Sequence, residues 1–119
     1  MTTLYVGIAN QDVIRQRTLD IASGKITAKP TDPKVWFSSI ESLAQVLSSD
    51  NRAMLQAIKE HHPDSVSALA HIVGRAQPNL TRTLKKLEAF GIVELKKAGK
   101  KTVPVVVYDE IKMHIPLSA

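Results

Sequence analysis

Asn79, Arg82 and Lys86 recur at i, i+3 and i+7, a spacing that puts three hydrogen-bonding side chains along one side of a helix. Arginine forks onto the acceptors of guanine, asparagine pairs with adenine, and lysine reaches phosphate, so the set suits the edges and backbone of a nucleic-acid duplex. Gln77 and Thr81 sit near the amino-terminal end of the same segment, and Lys85 flanks it. The opposite side carries Leu80, Leu84 and Leu87, which fall within about 60° of one another at 100° per residue and should face a core. Directly after this stretch, Lys96, Lys97, Lys100 and Lys101 surround Ala98-Gly99.

A solvated helix face would account for Lys85 and Lys86 alone. The distribution of charge favours a larger role. From Arg75 to Lys101 eight basic residues stand against Glu88 and Glu94, a net +6, while the rest of the chain has 8 basic and 9 acidic residues, a net −1. The whole excess positive charge is thus confined to one segment, the footprint of a surface that meets a polyanion. Lysines at strand edges also deter aggregation, but strand packing does not require four of them around one turn. Phe90 is the only aromatic residue in the segment, which argues against recognition of single strands by stacking.

The elements that must hold these side chains follow from period and punctuation. "NRAMLQAIKEHH" has Met54, Leu55 and Ile58 on one face and is stopped by Pro63. "SVSALAHIVG" takes Ser65 as N-cap, buries Val66, Leu69, Ala70 and Val73, and ends at Gly74. Gly74-Arg75-Ala76 is a tight turn of the kind that sets two helices at a steep angle. "QPNLTRTLKKLEAFG" follows, with Pro78 in the first turn and Gly91 as the stop. "IVELKK" and "KTVPVVVYD" then flank Ala98-Gly99 as a hairpin. In a helix-turn-helix the start of the second helix meets base edges, and here that start holds Gln77, Asn79, Thr81 and Arg82.

Upstream the pattern is looser. Thr3–Ile8 reads as an opening strand, and Asp12–Ile21 as a helix with Val13, Ile14, Leu19 and Ile21 on helical spacing and Gly24 as its stop. "GKITAKPTDPK" reads as a linker or irregular loop. "FSSIESLAQVLS" predicts a helix capped by Ser38, with Glu41 completing a capping box and Ile40, Leu43, Ala44 and Leu47 as its apolar stripe. Trp36 and Phe37 are expected to anchor the start of that helix, and Asp109-Glu110 to form a turn.

Several chemistries find no residues to perform them. The chain has no cysteine, so disulfides, thiolate metal sites and cysteine nucleophiles are excluded. No phosphate-binding glycine motif occurs, and "HHPDS" cannot form a catalytic triad from contiguous residues. His61 and His62 read as a helix-end pair rather than metal ligands. The expectation is no catalytic residue, no metal and no cofactor. Met1–Tyr5 shows no signal-peptide pattern, and Val105–Tyr108, the longest apolar run, is far short of the ~20 residues a membrane helix needs. A cytoplasmic protein with no membrane partner is expected.

"SVSALAHIVGRAQPNLTRTLKKLEAFGIVEL" resembles the winged helix-turn-helix of MarR-type and ArsR-type transcriptional regulators, chiefly through "LTRTLKKLEAFGIVEL". The resemblance covers about Asp50 to Tyr108. With "WFSSIESLAQVLSSDNR" before it and "VYDEIKMHIPL" after it, the chain is similar to small DNA-binding regulators that act as antitoxins of TumE-type toxin–antitoxin pairs. The resemblance implies that Gln77, Asn79, Thr81, Arg82 and Lys86 belong to a recognition helix and Lys97, Lys100 and Lys101 to a wing.

The expected fold class is therefore α+β, mostly helical: a winged helix-turn-helix over residues 50–119 with a strand/helix extension over residues 1–49. The expected function is sequence-specific binding of double-stranded DNA as a transcriptional repressor. Asn79, Thr81 and Arg82 would read bases, and Lys86, Lys97, Lys100 and Lys101 would hold phosphates. Ser65, Ser67, Arg75, Gln77, Lys85 and Lys96 complete the DNA-binding set. Thr3–Ile21 and Ser38–Leu47 are apolar enough to serve a homodimer interface or a docking surface for a cognate toxin. The alternatives are an antitoxin whose main partner is that toxin and a winged helix that binds RNA by shape.

Overall fold

Five helices and five strands form an α+β arrangement among residues 2–117, which the computed structural model describes. The chain divides into two compact units, one built from the chain up to Gln45 together with the chain from Tyr108 onward, the other from Val46–Val107. The boundaries differ from the expected 1–49 and 50–119 because the carboxy-terminal segment returns to pair with the first strand.

In the first unit, β1 (Thr3–Ile8) lies between β2 (Val35–Phe37) and β5 (Glu110–His114), parallel to both. Val6 pairs with Val35 and Met113, and Gly7 with Trp36 and His114. In-register neighbours share a face. Leu4, Val6, Val35, Phe37, Ile111 and Met113 therefore line one face, and Tyr5, Gly7, Trp36, Glu110, Lys112 and His114 the other. Gly7 is required by close approach: a Cβ there would lie 2.6 Å from Trp36 Cζ3 and 2.9 Å from Pro33 Cγ. The helix α1 (Gln11–Ala22) begins at Asn10, whose Oδ1 accepts the Val13 N–H at 2.9 Å. Its Arg17 pairs with Asp32 at 2.7 Å and sits 6.0 Å over the Trp36 ring, which fixes the helix to the segment before β2. A main-chain hydrogen bond from Lys29 and the Arg17 charge hold the Asp32 carboxyl below its usual range.

Four expectations for this unit are corrected. Trp36 and Phe37 form a strand rather than a helix anchor, because their main chain pairs with β1. Glu110 opens β5 rather than closing a turn, its hydroxyl-accepting carboxylate 2.8 Å from Thr3 Oγ1. The apolar spacing of α1 produces a helix with no buried residue, and Leu19 is 55% exposed. The helix α2 (Ile40–Val46) is capped by Ser39, whose Oγ accepts the Ser42 N–H, so the Ser38–Glu41 box is not the cap. Its inward positions are Leu43 and Val46, while Ile40 and Ala44 are exposed.

The second unit packs three helices and a hairpin. α3 (Ser49–His61) is capped by Ser48, and His62 ends it in the left-handed region at φ 46°. α4 (Val66–Val73) begins at Ser65, whose side chain accepts the Ala68 N–H at 3.0 Å, and ends at Gly74 with φ 68°. α5 (Gln77–Ala89) follows after Arg75 and Ala76. Met54, Leu55 and Ile58 from α3, Val66, Leu69 and Ala70 from α4, and Leu80, Leu84 and Leu87 from α5 are buried, with Ile92 and Val93. Burial of each of these side chains other than Ala70 contributes about 1.5–3 kcal/mol. Asn51 is the one buried polar side chain among the described residues. It donates from Nδ2 to the Val46 carbonyl at 2.9 Å and accepts from Arg75 on Oδ1 at 3.4 Å. The strands β3 (Glu94–Ala98) and β4 (Lys101–Val105) pair antiparallel around Gly99-Lys100, with Ala98 opposite Lys101. β4 stops at Val105, short of the expected Asp109.

Candidate nucleic-acid interface

The hairpin is held to the helices by two polar contacts that act with packing. Glu88 near the end of α5 accepts the Leu95 N–H of β3 at 3.2 Å. Lys101 of β4 reaches Asp64, just before the α4 cap, at 3.1 Å. Lys101 lowers the Asp64 carboxyl below its usual range, by hydrogen bonding and then by charge. Lys97 donates across the hairpin to Thr102 Oγ1 at 3.1 Å, its register partner on β4.

These ties leave an open groove of about 1120 Å³ between the start of α4, one side of α5 and the hairpin. Ser65 and Ser67 line it from α4, Gln77, Thr81 and Lys85 from α5, and Lys97, Lys100 and Lys101 from the hairpin. Four lysines thus face a concave surface whose only acid is Glu88, already accepting the Leu95 N–H. Such a concavity focuses positive potential on whatever enters it. Lys100 occupies the turn itself and is exposed.

Eight of the thirteen sequence-selected residues meet in this groove; the other five do not line it. Asn79, Arg82 and Lys86 lie on the outward side of α5, opposite its leucines, and all three are exposed. Arg82 donates to Asn79 Oδ1, so the pair forms one polar unit on that face. Arg75 is turned inward, sharing its guanidinium between Asn51 Oδ1 at 3.4 Å and Met54 Sδ at 3.7 Å. Lys96 points away with Glu94, 3.6 Å from it. The α5 helix thus has two polar faces, one toward the hairpin and one toward solvent. Ala76 provides no side-chain cap, leaving the first N–H groups of α5 without a side-chain acceptor.

His71 and Thr102 line this groove, and Asp64 pairs with its Lys101, although the sequence marked none of the three for binding. Ser67 and His71 are four residues apart on α4, a helical spacing that could have paired them. Asp64 had no local signal, because its partner is 37 positions away.

A family model, HVO_A0114, matches residues 46–113, more than half of the chain. The chain belongs to the HVO_A0114 family. The match takes in the whole of the helical unit with its groove and runs on through Met113 of β5. No curated protein and no solved structure matches the chain significantly. Among the described residues, no group of three or more metal-ligating side chains occurs, and no helix is long and apolar enough to cross a membrane.

Proposed function

We propose that Val46–Val107 is a winged helix-turn-helix that binds double-stranded DNA, and that the protein is a transcriptional repressor. One observation carries this reading: the basic groove places Gln77, Thr81 and Lys85 of α5 opposite Lys97, Lys100 and Lys101 of the hairpin. The outward face of α5, with Asn79 and Arg82, enters the major groove and meets base edges. The groove side of α5 and the hairpin take the adjoining phosphodiester backbone, with Ser65 and Ser67 supplying neutral hydroxyl donors. Lys86 adds a phosphate contact beyond the base-reading pair. Repression follows from occupation of promoter DNA by a homodimer whose symmetry matches a palindromic operator.

The test is a mobility-shift titration of the full chain against duplexes tiling the region upstream of its own gene, with unrelated duplex and structured RNA as competitors. Saturable binding to one upstream site that resists both competitors supports the proposal. Preference for the RNA, or binding only when the product of a neighbouring gene is added, contradicts it in favour of an RNA-binding or antitoxin role.

A further inference from the structure

The outer edge of β5 is open: it is the last strand of the order β2-β1-β5, and no strand among the described residues pairs with it. The Glu110 N–H donates to the Thr2 carbonyl at 3.3 Å, and Glu110 is the register partner of Thr3. In a parallel ladder, alternate residues turn both main-chain groups toward the same neighbour. Glu110, Lys112 and His114 therefore face β1, and Ile111 and Met113 turn their N–H and C=O groups to the open edge. A row of this kind is a template for another strand. Its side chains reinforce the point. Met113 is 56% exposed and Ile115 42% exposed, although Met113 shares a face with the buried Leu4, Val6 and Phe37. The apolar face of the sheet thus runs out into solvent at β5.

We propose that β5 pairs antiparallel with β5 of a second copy of this chain, across a twofold axis at Ile111, joining two three-stranded sheets into one of six strands. The outward groups of Ile111 and Met113 admit only registers that match odd-numbered residues, and charge chooses among these. A register centred on Lys112 sets two ammonium groups against each other in the closest type of cross-strand pair. One centred on Met113 sets Lys112 opposite His114 and Glu110 opposite Pro116, with no ion pair. One centred on Ile111 exchanges two main-chain hydrogen bonds between the two Ile111 residues and sets Glu110 opposite Lys112 of the second copy on both sides of the axis. The same contact is made twice, as an isologous interface requires. Lys112 already stands 3.9 Å from Glu110 of its own chain, so pairing builds a four-charge cluster of alternating sign. The surface lies outside the basic groove and stands whether or not the protein binds DNA.

The experiment is sedimentation velocity on the full chain without nucleic acid, combined with oxidation of single-cysteine variants. The absence of native cysteine makes any cross-link assignable. The wild type sediments at twice the 13.1 kDa chain mass. Lys112→Glu places like charges opposite each other and weakens the dimer at least tenfold, and adding Glu110→Lys to it restores the dimer. Ile111→Cys cross-links the two copies on oxidation, since hydrogen-bonded antiparallel partners stand about 5.5 Å apart at Cα, within disulfide range. Met113→Cys, displaced along the strand, does not. A wild type that is monomeric at every concentration overturns the proposal. So does a Lys112→Glu dimer of unchanged strength, or a cross-link at Met113 and none at Ile111.

Discussion

Lys101 Nζ lies 3.1 Å from Asp64 Oδ2, so the hairpin is tied to the loop before α4 by one of the lysines proposed to hold phosphate. Asp64 orients that lysine but also competes with DNA for it. Asp64→Asn removes the competitor, and the expected outcome is binding to all duplexes tightened by a few fold, with a steeper salt dependence, measured by fluorescence anisotropy. The Asp64 pKa is lowered in the folded state, so the contact contributes above the ordinary carboxylate range and is lost as pH falls through the lowered value. The hairpin tie is therefore constant from pH 6 to 8, and DNA affinity in that window should not report this group.

The two polar faces of α5 should separate by experiment. Arg82→Ala removes a base-edge contact and is expected to cost about 1–3 kcal/mol on the best site while relaxing preference at one base pair. Thr81→Ala with Lys85→Ala acts on the groove side and is expected to weaken binding to specific and random duplexes alike. A binding-site selection on each variant distinguishes the two effects.

Gly7 and Trp36 make a separate prediction about stability. Gly7→Ala drives a methyl group into the indole and Pro33, and overpacking of this kind costs about 1–3 kcal/mol. Urea denaturation should show the loss, and in a Trp36→Ala background the same substitution should cost clearly less. Equal costs in both backgrounds would contradict the close approach.

Asn51 joins the start of α3 to the turn before α5. Asn51→Ala leaves the Val46 carbonyl without its 2.9 Å donor and Arg75 without its Oδ1 acceptor, at an expected cost of about 1–3 kcal/mol. Thermal denaturation measures it. A freed Arg75 guanidinium is the second consequence, and it should leave any DNA affinity unchanged or raised, never lowered.

The helical unit was legible because its signals are local. Ser65 and Gly74 bracket α4, Leu80, Leu84 and Leu87 repeat at helical period, and Gly99 adopts φ 65° in the hairpin turn as its position implied. The sheet was less legible because parallel pairing is non-local. Val35–Phe37 offers three residues, and Glu110–His114 alternates charge with only two large apolar side chains. Nothing near either segment announces that β1 will lie between them. The candidate site shows the same division. Residue types along α5 marked it as polar on the outside, but which polar face looks at the hairpin depends on how Glu88 meets Leu95 and Lys101 meets Asp64. For the same reason Arg75 read as part of the basic surface, although Asn51, 24 positions away, turns it inward.

The most direct measurement is the salt dependence of binding to an upstream duplex for the wild type and for Lys97→Ala/Lys100→Ala/Lys101→Ala. If the hairpin grips the backbone, removing three phosphate contacts lowers the slope of log K against log salt concentration by about 2.7, at about 0.9 per contact. An unchanged slope and affinity, with the variant folded by circular dichroism, would contradict the nucleic-acid interface.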